Sequence, residues 1–355
     1  MKRIAIDVTP LTSEHQYRGI GNYTRKLVDA LQKYDKNYEY LLTSKGQKIP
    51  PCDLLHYPYF EPFYLTLPMI KQVKTVVTVH DMIPFVFADQ YPRGIRGELK
   101  WQIQKKSLMG VKAIITDSEN SKEDIMRFTS YPKEKIYVIP LAAGEAFREL
   151  PKDAEKLTSA KKTYHLPDTF FLYVGDVNVN KNIPRLIEAF HDVSKEHKDA
   201  HLVLIGRAFG NTHLPETKEI MHLVKTLDLE KRVIRISELA TDDEDDLVSI
   251  YNLATCYIQP SLYEGFGIPV LEAMACGVPC LVAQTSSLPE VAGTAAVYLD
   301  PFDREDMARK MEYMLTVDAK DYDALKKRSL DQAKKFHWEK TGRETTRVYE
   351  EVCRT

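Results

Sequence analysis

The stretch Pro260-Ser261-Leu262-Tyr263-Glu264-Gly265-Phe266-Gly267-Ile268-Pro269-Val270-Leu271-Glu272-Ala273-Met274-Ala275-Cys276-Gly277 reads as strand, loop and helix in succession. An apolar run stops at Pro260, a glycine-bearing loop follows, Pro269 suits a first helical turn and Gly277 ends the helix. The free amides of such a helix start, with its positive dipole end, suit a diphosphate or sugar oxygens. Gly265 and Gly267 let the backbone approach a ligand closely. Glu264 and Glu272, eight positions apart, can accept hydrogen bonds from hydroxyls at opposite ends of one bound ligand. Read singly, Glu272 complements the helix dipole and Glu264 is a solvated loop charge.

Outward from this string, short apolar runs alternate with helical patterns. Strands are predicted at 3–8, 38–43, 53–57, 75–80, 113–117 and 136–140, then at 170–175, 201–206, 233–237, 255–260, 279–283 and 296–300. Continuous Val/Ile/Leu runs, rather than strict alternation, indicate parallel strands covered on both faces. A chain of 355 residues is too long for one ordinary core, so two α/β domains are expected. Residues 142–168, with Gly144, Pro151, Pro167 and a charged run, make the best linker. The expected division is 1–166, 167–335 and a terminal helical segment, 336–355.

Composition narrows the class. Hydrophobic residues make up 44% and charged residues 28%, as in a soluble globular protein. Lys plus Arg number 49 against 51 Asp plus Glu, so no global charge draws the chain to nucleic acid. Met1-Lys2-Arg3 imitates a signal peptide, but Asp7 interrupts the apolar run and the segment reads as a first strand. No later run approaches the ~18 apolar residues of a membrane span. The five cysteines form no CxxC pair and no zinc spacing. Free buried thiols in a reducing cytoplasm are the expectation.

Several further residues follow predicted strands, where ligands bind in open parallel sheets. Gly19-Ile20-Gly21-Asn22-Tyr23-Thr24 reads as a loop before a helix over 23–31, either a phosphate-binding turn or a simple tight turn. His80 ends a strand. Lys181 stands near a helix start, a poor place for a cation unless an anion lies opposite. Ser118 and Ser121 read as helix caps. Thr241 through Asp246 reads as a capping box with an acidic first turn, and no metal site is proposed. Arg93, Arg96, Lys100, Lys105, Lys106 and Lys112 interleave with Trp101, Ile103, Leu108 and Met109. They make an ordinary amphipathic helix or a docking surface for an anionic membrane.

The string 260–277 closely resembles the E-x7-E signature of retaining glycosyltransferase family 4. The likeness continues through 284–301, where Ser287-Leu288-Pro289-Glu290-Val291-Ala292-Gly293 matches the next family segment, and further strings extend it over nearly the whole chain. The resemblance implies the GT-B fold: two Rossmann-like doubly wound parallel-sheet domains facing a cleft, with a C-terminal helix after Phe336-His337-Trp338-Glu339 crossing back to the first. It implies a catalytic set of His80 beside the transferred sugar, Glu264 contacting that sugar and Lys181 clamping the diphosphate. It implies donor binding by Gly19, Gly21, Asn22, Gly265, Phe266, Gly267, Ile268, Val270, Leu271 and Glu272, the last on the ribose.

The implied reaction moves a hexose from a nucleotide-sugar to a glycan or lipid-linked acceptor, with retention and with no metal or other cofactor. Strings at 18–27, 76–84 and 174–190 look most like bacterial enzymes of cell-surface polysaccharide synthesis, which makes GDP-mannose the first choice of donor. Many family members have Arg after the glycine of the second domain's first turn; here Asp176 follows Gly175. Three rivals stand beside this. A dinucleotide oxidoreductase would need a third glycine after Gly21 in GxGxxG. A sugar-nucleotide epimerase would release free products, and a non-catalytic binder would never turn over.

Overall fold

The computed structural model describes residues 1–13, 19–240 and 244–354. It comprises two compact units, Met1–Ala142 with Phe336–Thr355, and Ala143–Lys335.

In the first unit, β1 (Lys2–Asp7), β2 (Tyr38–Thr43), β3 (Leu54–Tyr57), β4 (Lys74–Thr78), β5 (Ala113–Thr116) and β6 (Ile136–Val138) form a parallel sheet ordered β2-β1-β3-β4-β5-β6. Helices α1 (Gly19–Tyr34), α2 (Ile83–Val86), α3 (Gly94–Met109) and α4 (Glu119–Thr129) connect them. Central β3, Leu-Leu-His-Tyr, is buried throughout, whereas edge strand β2 is buried only at its last residue. Helices cover both faces of central strands, hence the near-continuous apolar sequence.

The second unit begins with α5 (Glu155–Thr163) and continues β7 (Thr169–Val174), α6 (Ile183–Glu196), β8 (Ala200–Ile205), α7 (Pro215–Thr226), β9 (Val233–Ile236), α8 (Asp245–Leu253) and β10 (Cys256–Gln259). Then come α9 (Ile268–Ala275), β11 (Cys280–Ala283), α10 (Leu288–Ala292), β12 (Val297–Leu299), α11 (Arg304–Thr316) and α12 (Ala319–Ala333). Its parallel sheet runs β12-β11-β10-β7-β8-β9, the doubly wound order in which the chain reverses direction between β7 and β10. The last helix, α13 (Trp338–Arg354), packs on the first unit. There Thr341 Oγ1 donates to Pro140 O at 2.8 Å and the Tyr349 hydroxyl meets His56 Nδ1 at 2.6 Å.

Three expectations are corrected. The division falls after Ala142, not after 166, because the expected linker is part of the second unit. Leu157 and Ala160 of α5 are buried, and Leu150 N donates to Asn252 Oδ1 on α8 at 2.8 Å. Gly19-Ile20-Gly21-Asn22 is not a loop but the first turn of α1. Two of the five cysteines, Cys52 and Cys353, are only half-buried, although all five are free. The capping box at Thr241 lies outside the described residues. Its continuation, Asp245 and Asp246, pairs with Lys156 and with the Tyr164 hydroxyl.

Candidate active site

The second unit gathers its polar side chains at the switch point. Lys181 lies beyond β7 and Glu264 beyond β10, two neighbouring strands. Lys181 Nζ donates to both Glu264 oxygens at 2.8 Å, and the two side chains are 19% and 9% exposed. The cation beside a helix start has its anion, and Glu264 is not a solvated loop charge. Glu264 Oε1 also accepts from Gln259 Nε2 at 2.8 Å and from Ser261 Oγ at 2.7 Å. The Glu264 amide donates to Ser286 Oγ at 2.9 Å. Oε1 is therefore saturated, while Oε2 accepts only from Lys181 among the described residues. A carboxylate held by so many donors is fixed in place, and its remaining lone pairs are aimed.

Backbone geometry shapes the loop. Gly267 has φ of 112°, and a Cβ there would come within 2.9 Å of Leu288 Cδ2, so only glycine fits. Behind it Ser287 Oγ lies 2.9 Å from the carbonyls of Glu264 and Phe266. Ser286 sits at φ of 48°, a strained conformation that places its hydroxyl under the Glu264 amide. At the start of α9, Pro269 has no amide and Val270 N is taken by Gly267 O at 3.1 Å. The amides of Gly267 and Ile268 remain at the open end, so the expected donor set narrows there. Val270 and Leu271 are fully buried in the core and can serve the site only as support.

Glu272, in the middle of α9, is 8% exposed, and its Oε2 accepts from the Tyr251 hydroxyl on α8 at 3.0 Å. That buried bond is more than a charge complementing the helix dipole. Burial, then the charge of Glu272, pushes the Tyr251 pKa well above the ordinary range. Asp176 is exposed, and its Oδ1 accepts the Val177 amide at 2.8 Å. Arg207 opens a short turn after β8 and is exposed.

The first unit holds His80, Gly19, Gly21 and Asn22. His80 lies two residues past the end of β4, with Nδ1 2.7 Å from Asp117 Oδ2 and Nε2 3.2 Å from Pro58 O. Both ring nitrogens face oxygen acceptors, which suits the imidazolium. Burial lowers the His80 pKa, but the Asp117 charge and hydrogen bond, with Asp81, outweigh it and raise the pKa above the ordinary value. Tyr23, one residue beyond Asn22, packs edge-on against His80 at 4.5 Å. A buried chain runs on from it: Tyr23 hydroxyl to Thr78 Oγ1 at 3.0 Å, Thr78 to His56 Nε2 at 2.9 Å, and His56 to Tyr349. Ser118 caps α4 as expected, accepting from Ser121 N. Ser121 is no cap; its hydroxyl donates to His80 O at 2.9 Å.

The basic segment is also revised. Trp101 and Leu108 belong to the core of the first unit, and Lys105 donates to Phe128 O while lying over the Trp101 ring. Met109 stays exposed, and it is joined by Ile95 and Leu99, one turn apart on α3, and by Met69 and Ile70 between β3 and β4. No helix of the described residues is long and apolar enough to cross a membrane.

Sequence reasoning missed Gln259, Tyr251, Ser286 and Asp117. Gln259 carried a signal, a lone amide ending the buried strand Cys256-Tyr257-Ile258-Gln259. Tyr251 and Asp117 looked like ordinary helix and strand-end residues.

A Rossmann-like sheet with a cation and carboxylate paired at its switch point places the chain in the doubly wound class, whose ligands bind at that point. Comparison narrows this. Residues 155–332 match the family described as Glycosyl transferases group 1, and residues 41–142 match Glycosyltransferase Family 4. The chain belongs to this glycosyltransferase family, with the GT-B architecture of two Rossmann-like units and a terminal helix on the first. The Escherichia coli serotype-specific mannosyltransferase WbdA is 32% identical over 76% of this chain, which spans about a third (32%) of that protein. The O-antigen chain mannosyltransferase B of Escherichia coli is 30% identical over 87% of this chain and 78% of its own. Among solved structures, sucrose-phosphate synthase from Thermosynechococcus elongatus superposes with a TM-score of 0.78 at 19% identity, over 99% of both chains.

Proposed function

We propose that the chain is a retaining glycosyltransferase that moves mannose from GDP-mannose to a glycan or lipid-linked acceptor. The observation that carries this is the Lys181–Glu264 pair beyond β7 and β10. As the bond to the diphosphate breaks, negative charge develops on the leaving group, and the Lys181 ammonium with the amides of Gly267 and Ile268 stabilises it. The ammonium has three donors, two of them on Glu264, so the third is available to a phosphate oxygen. Glu264 Oε2 accepts a sugar hydroxyl and Glu272 a ribose hydroxyl. Lys181 and the two amides supply the needed positive charge, so the reaction is proposed to run without a metal. Glu264 is engaged by Lys181, Gln259 and Ser261, which suits an orienting group better than a covalent nucleophile. His80, held by Asp117 at 2.7 Å, is assigned to the sugar. The two mannosyltransferase relatives supply the choice of sugar.

A thermal-shift screen of UDP-, GDP-, ADP- and TDP-sugars tests the donor, since binding raises apparent stability by mass action. GDP-mannose is expected to give the largest shift. Product analysis with an O-antigen-type mannan acceptor then shows retained anomeric configuration and transfer rather than free mannose. A donor consumed equally fast without acceptor points instead to the epimerase or hydrolase class.

A further inference from the structure

We propose that Asp117 is a positioning residue for sugar transfer: it fixes the His80 ring and keeps Nε2 a hydrogen-bond donor toward the transferred sugar. This rests on the assignment of His80 to the sugar above. Asp117 directly follows β5 and is 3% exposed, too buried to meet a sugar itself.

The Asp117 carboxylate hydrogen-bonds His80 alone among the described residues. Its Oδ2 lies 2.7 Å from His80 Nδ1, and its Oδ1 is buried with no partner. A carboxylate oxygen left so is costly, and its placement calls for a reason. Capping the next helix is not that reason, because the cap of α4 is Ser118, whose Oγ accepts Ser121 N at 3.0 Å. Holding His80 is the one task left to it.

Three further contacts complete the hold. Tyr23 of α1 packs edge-on at 4.5 Å, Ser121 of α4 donates to His80 O at 2.9 Å, and Nε2 lies 3.2 Å from Pro58 O. The His80 side chain is still 18% exposed, so part of the ring is open to a ligand. With a carboxylate at Nδ1 and a carbonyl at Nε2, both contacts attract only when both nitrogens carry protons. A neutral ring turns one lone pair toward an oxygen and loses one hold. The Nε2 contact is at the long end for a hydrogen bond, so the same N–H can be shared with a sugar hydroxyl. Burial lowers the His80 pKa, and the Asp117 charge and hydrogen bond, with Asp81 and the Pro58 carbonyl, raise it overall. The other titratable groups facing the ring are His56 of β3 and Tyr23.

Steady-state transfer from GDP-mannose to an α-linked mannobiose, followed against pH, tests this on the full chain. The proteins compared are wild type, Asp117→Asn, His80→Gln and the double variant. Asp117→Asn keeps the side-chain shape and should fold, with GDP affinity within about twofold of wild type. Its kcat/KM should fall roughly 10-fold or more, as for a lost hydrogen bond to a charged group. The alkaline fall of kcat/KM should also move to lower pH, because removing the carboxylate lowers the His80 pKa. On the His80→Gln background the same change should alter kcat/KM by less than about twofold, since Asp117 acts through the ring. Losses that multiply in the double variant, or an alkaline limb that stays in place, overturn the proposal. So does a folded Asp117→Asn enzyme within about twofold of wild type. If His80→Gln is then impaired, His80 keeps its assignment to the sugar without Asp117; if it is not, that assignment falls as well. A wild type inert on GDP-mannose overturns the donor reading and this proposal together.

Discussion

Lys181 Nζ stands 2.8 Å from each carboxylate oxygen of Glu264, so the two side chains proposed to handle the diphosphate and the sugar act as one unit. Removing either partner perturbs the other. Lys181→Ala leaves a nearly buried carboxylate without its cation, which should lower stability by about 2–4 kcal/mol, discounted for the lysine's partial exposure. It should also lower kcat/KM by roughly 10²-fold or more, because a charge-assisted contact to the leaving group strengthens as the bond breaks. EDTA and added Mg²⁺ should leave both enzymes' rates unchanged. Steady-state kinetics on samples whose fold is checked by circular dichroism decide the matter. A folded Lys181→Ala enzyme within about threefold of wild type, or a wild type silenced by EDTA, sinks this account.

The two glutamates should separate by what they bind. Glu272→Ala should weaken GDP binding by about 1–3 kcal/mol and also cost stability, since the buried Tyr251 hydroxyl loses its acceptor. Glu272→Gln keeps an acceptor for Tyr251 and should recover most of the stability. Glu264→Gln should leave GDP affinity close to wild type while lowering turnover. Calorimetry with GDP reads the difference; equal losses of GDP affinity in both would refute the division of roles.

All twelve strands were legible because buried parallel strands are written as continuous apolar runs, and Tyr38–Thr43 matches to the residue. Strand ends were less legible: His80 was placed inside β4, yet it lies past Thr78 because Asp117 and Pro58 O, not a ladder, hold it. Gly19 and Gly21 looked like a loop because glycine is a poor helix former, and tertiary packing overrides that preference in α1. Lys181 and Glu264 were named one by one, but their pairing was invisible. It depends on β7 and β10 becoming neighbours across 83 residues of sequence. For the segment 93–112 two readings were open, an ordinary amphipathic helix or a docking face; Trp101 and Leu108 in the core agree with the first, which the helical period alone could not decide.

Two neighbouring histidines should shape stability against pH in opposite senses. His80 is raised above its unfolded value, so its contribution is full below pH ~6.5 and is lost as pH rises through the raised value. His56 is pushed down to about 3 by burial and by His80. It is neutral in both states above pH ~6.5, and it costs stability as pH falls from there toward 3, at most about 1.4 kcal/mol per pH unit. Asp117→Asn should lower the His80 pKa, read by NMR titration of its ring protons. His56→Gln should flatten the acid limb of urea-derived stability by up to one proton's slope. An acid limb parallel to wild type overturns the His56 assignment.

If the first unit docks on an anionic membrane, the exposed pair Ile95 and Leu99 must insert, with Arg96 and Lys106 supplying charge. Ile95→Glu/Leu99→Glu should then abolish co-sedimentation with phosphatidylglycerol vesicles at low salt, without changing thermal stability, since neither residue is buried. Wild type that stays in the supernatant at low salt removes the membrane from the account.

Asp176 follows Gly175 in the turn after β7, where the family resemblance leads one to expect an arginine. Nothing holds it strongly there: it is exposed, and its side-chain hydrogen bond goes to the adjacent Val177 amide. Its backbone carbonyl accepts the Tyr173 hydroxyl at 2.7 Å, a bond that a change of side chain leaves intact. Asp176→Arg should therefore fold normally. Replacing a carboxylate with a guanidinium at the same turn as Lys181 removes a repulsion and adds a bidentate donor. GDP affinity should rise roughly 10-fold, equivalent to about 1.4 kcal/mol, and the gain should shrink at high salt if the new contact stays exposed. Turnover need not follow, because tighter binding of donor and product alike lowers KM without lowering the chemical barrier. Calorimetry with GDP at two ionic strengths, beside steady-state kinetics, checks both parts. Unchanged GDP affinity in Asp176→Arg would place the diphosphate away from the β7 turn and leave Lys181 to act on the sugar through Glu264 alone.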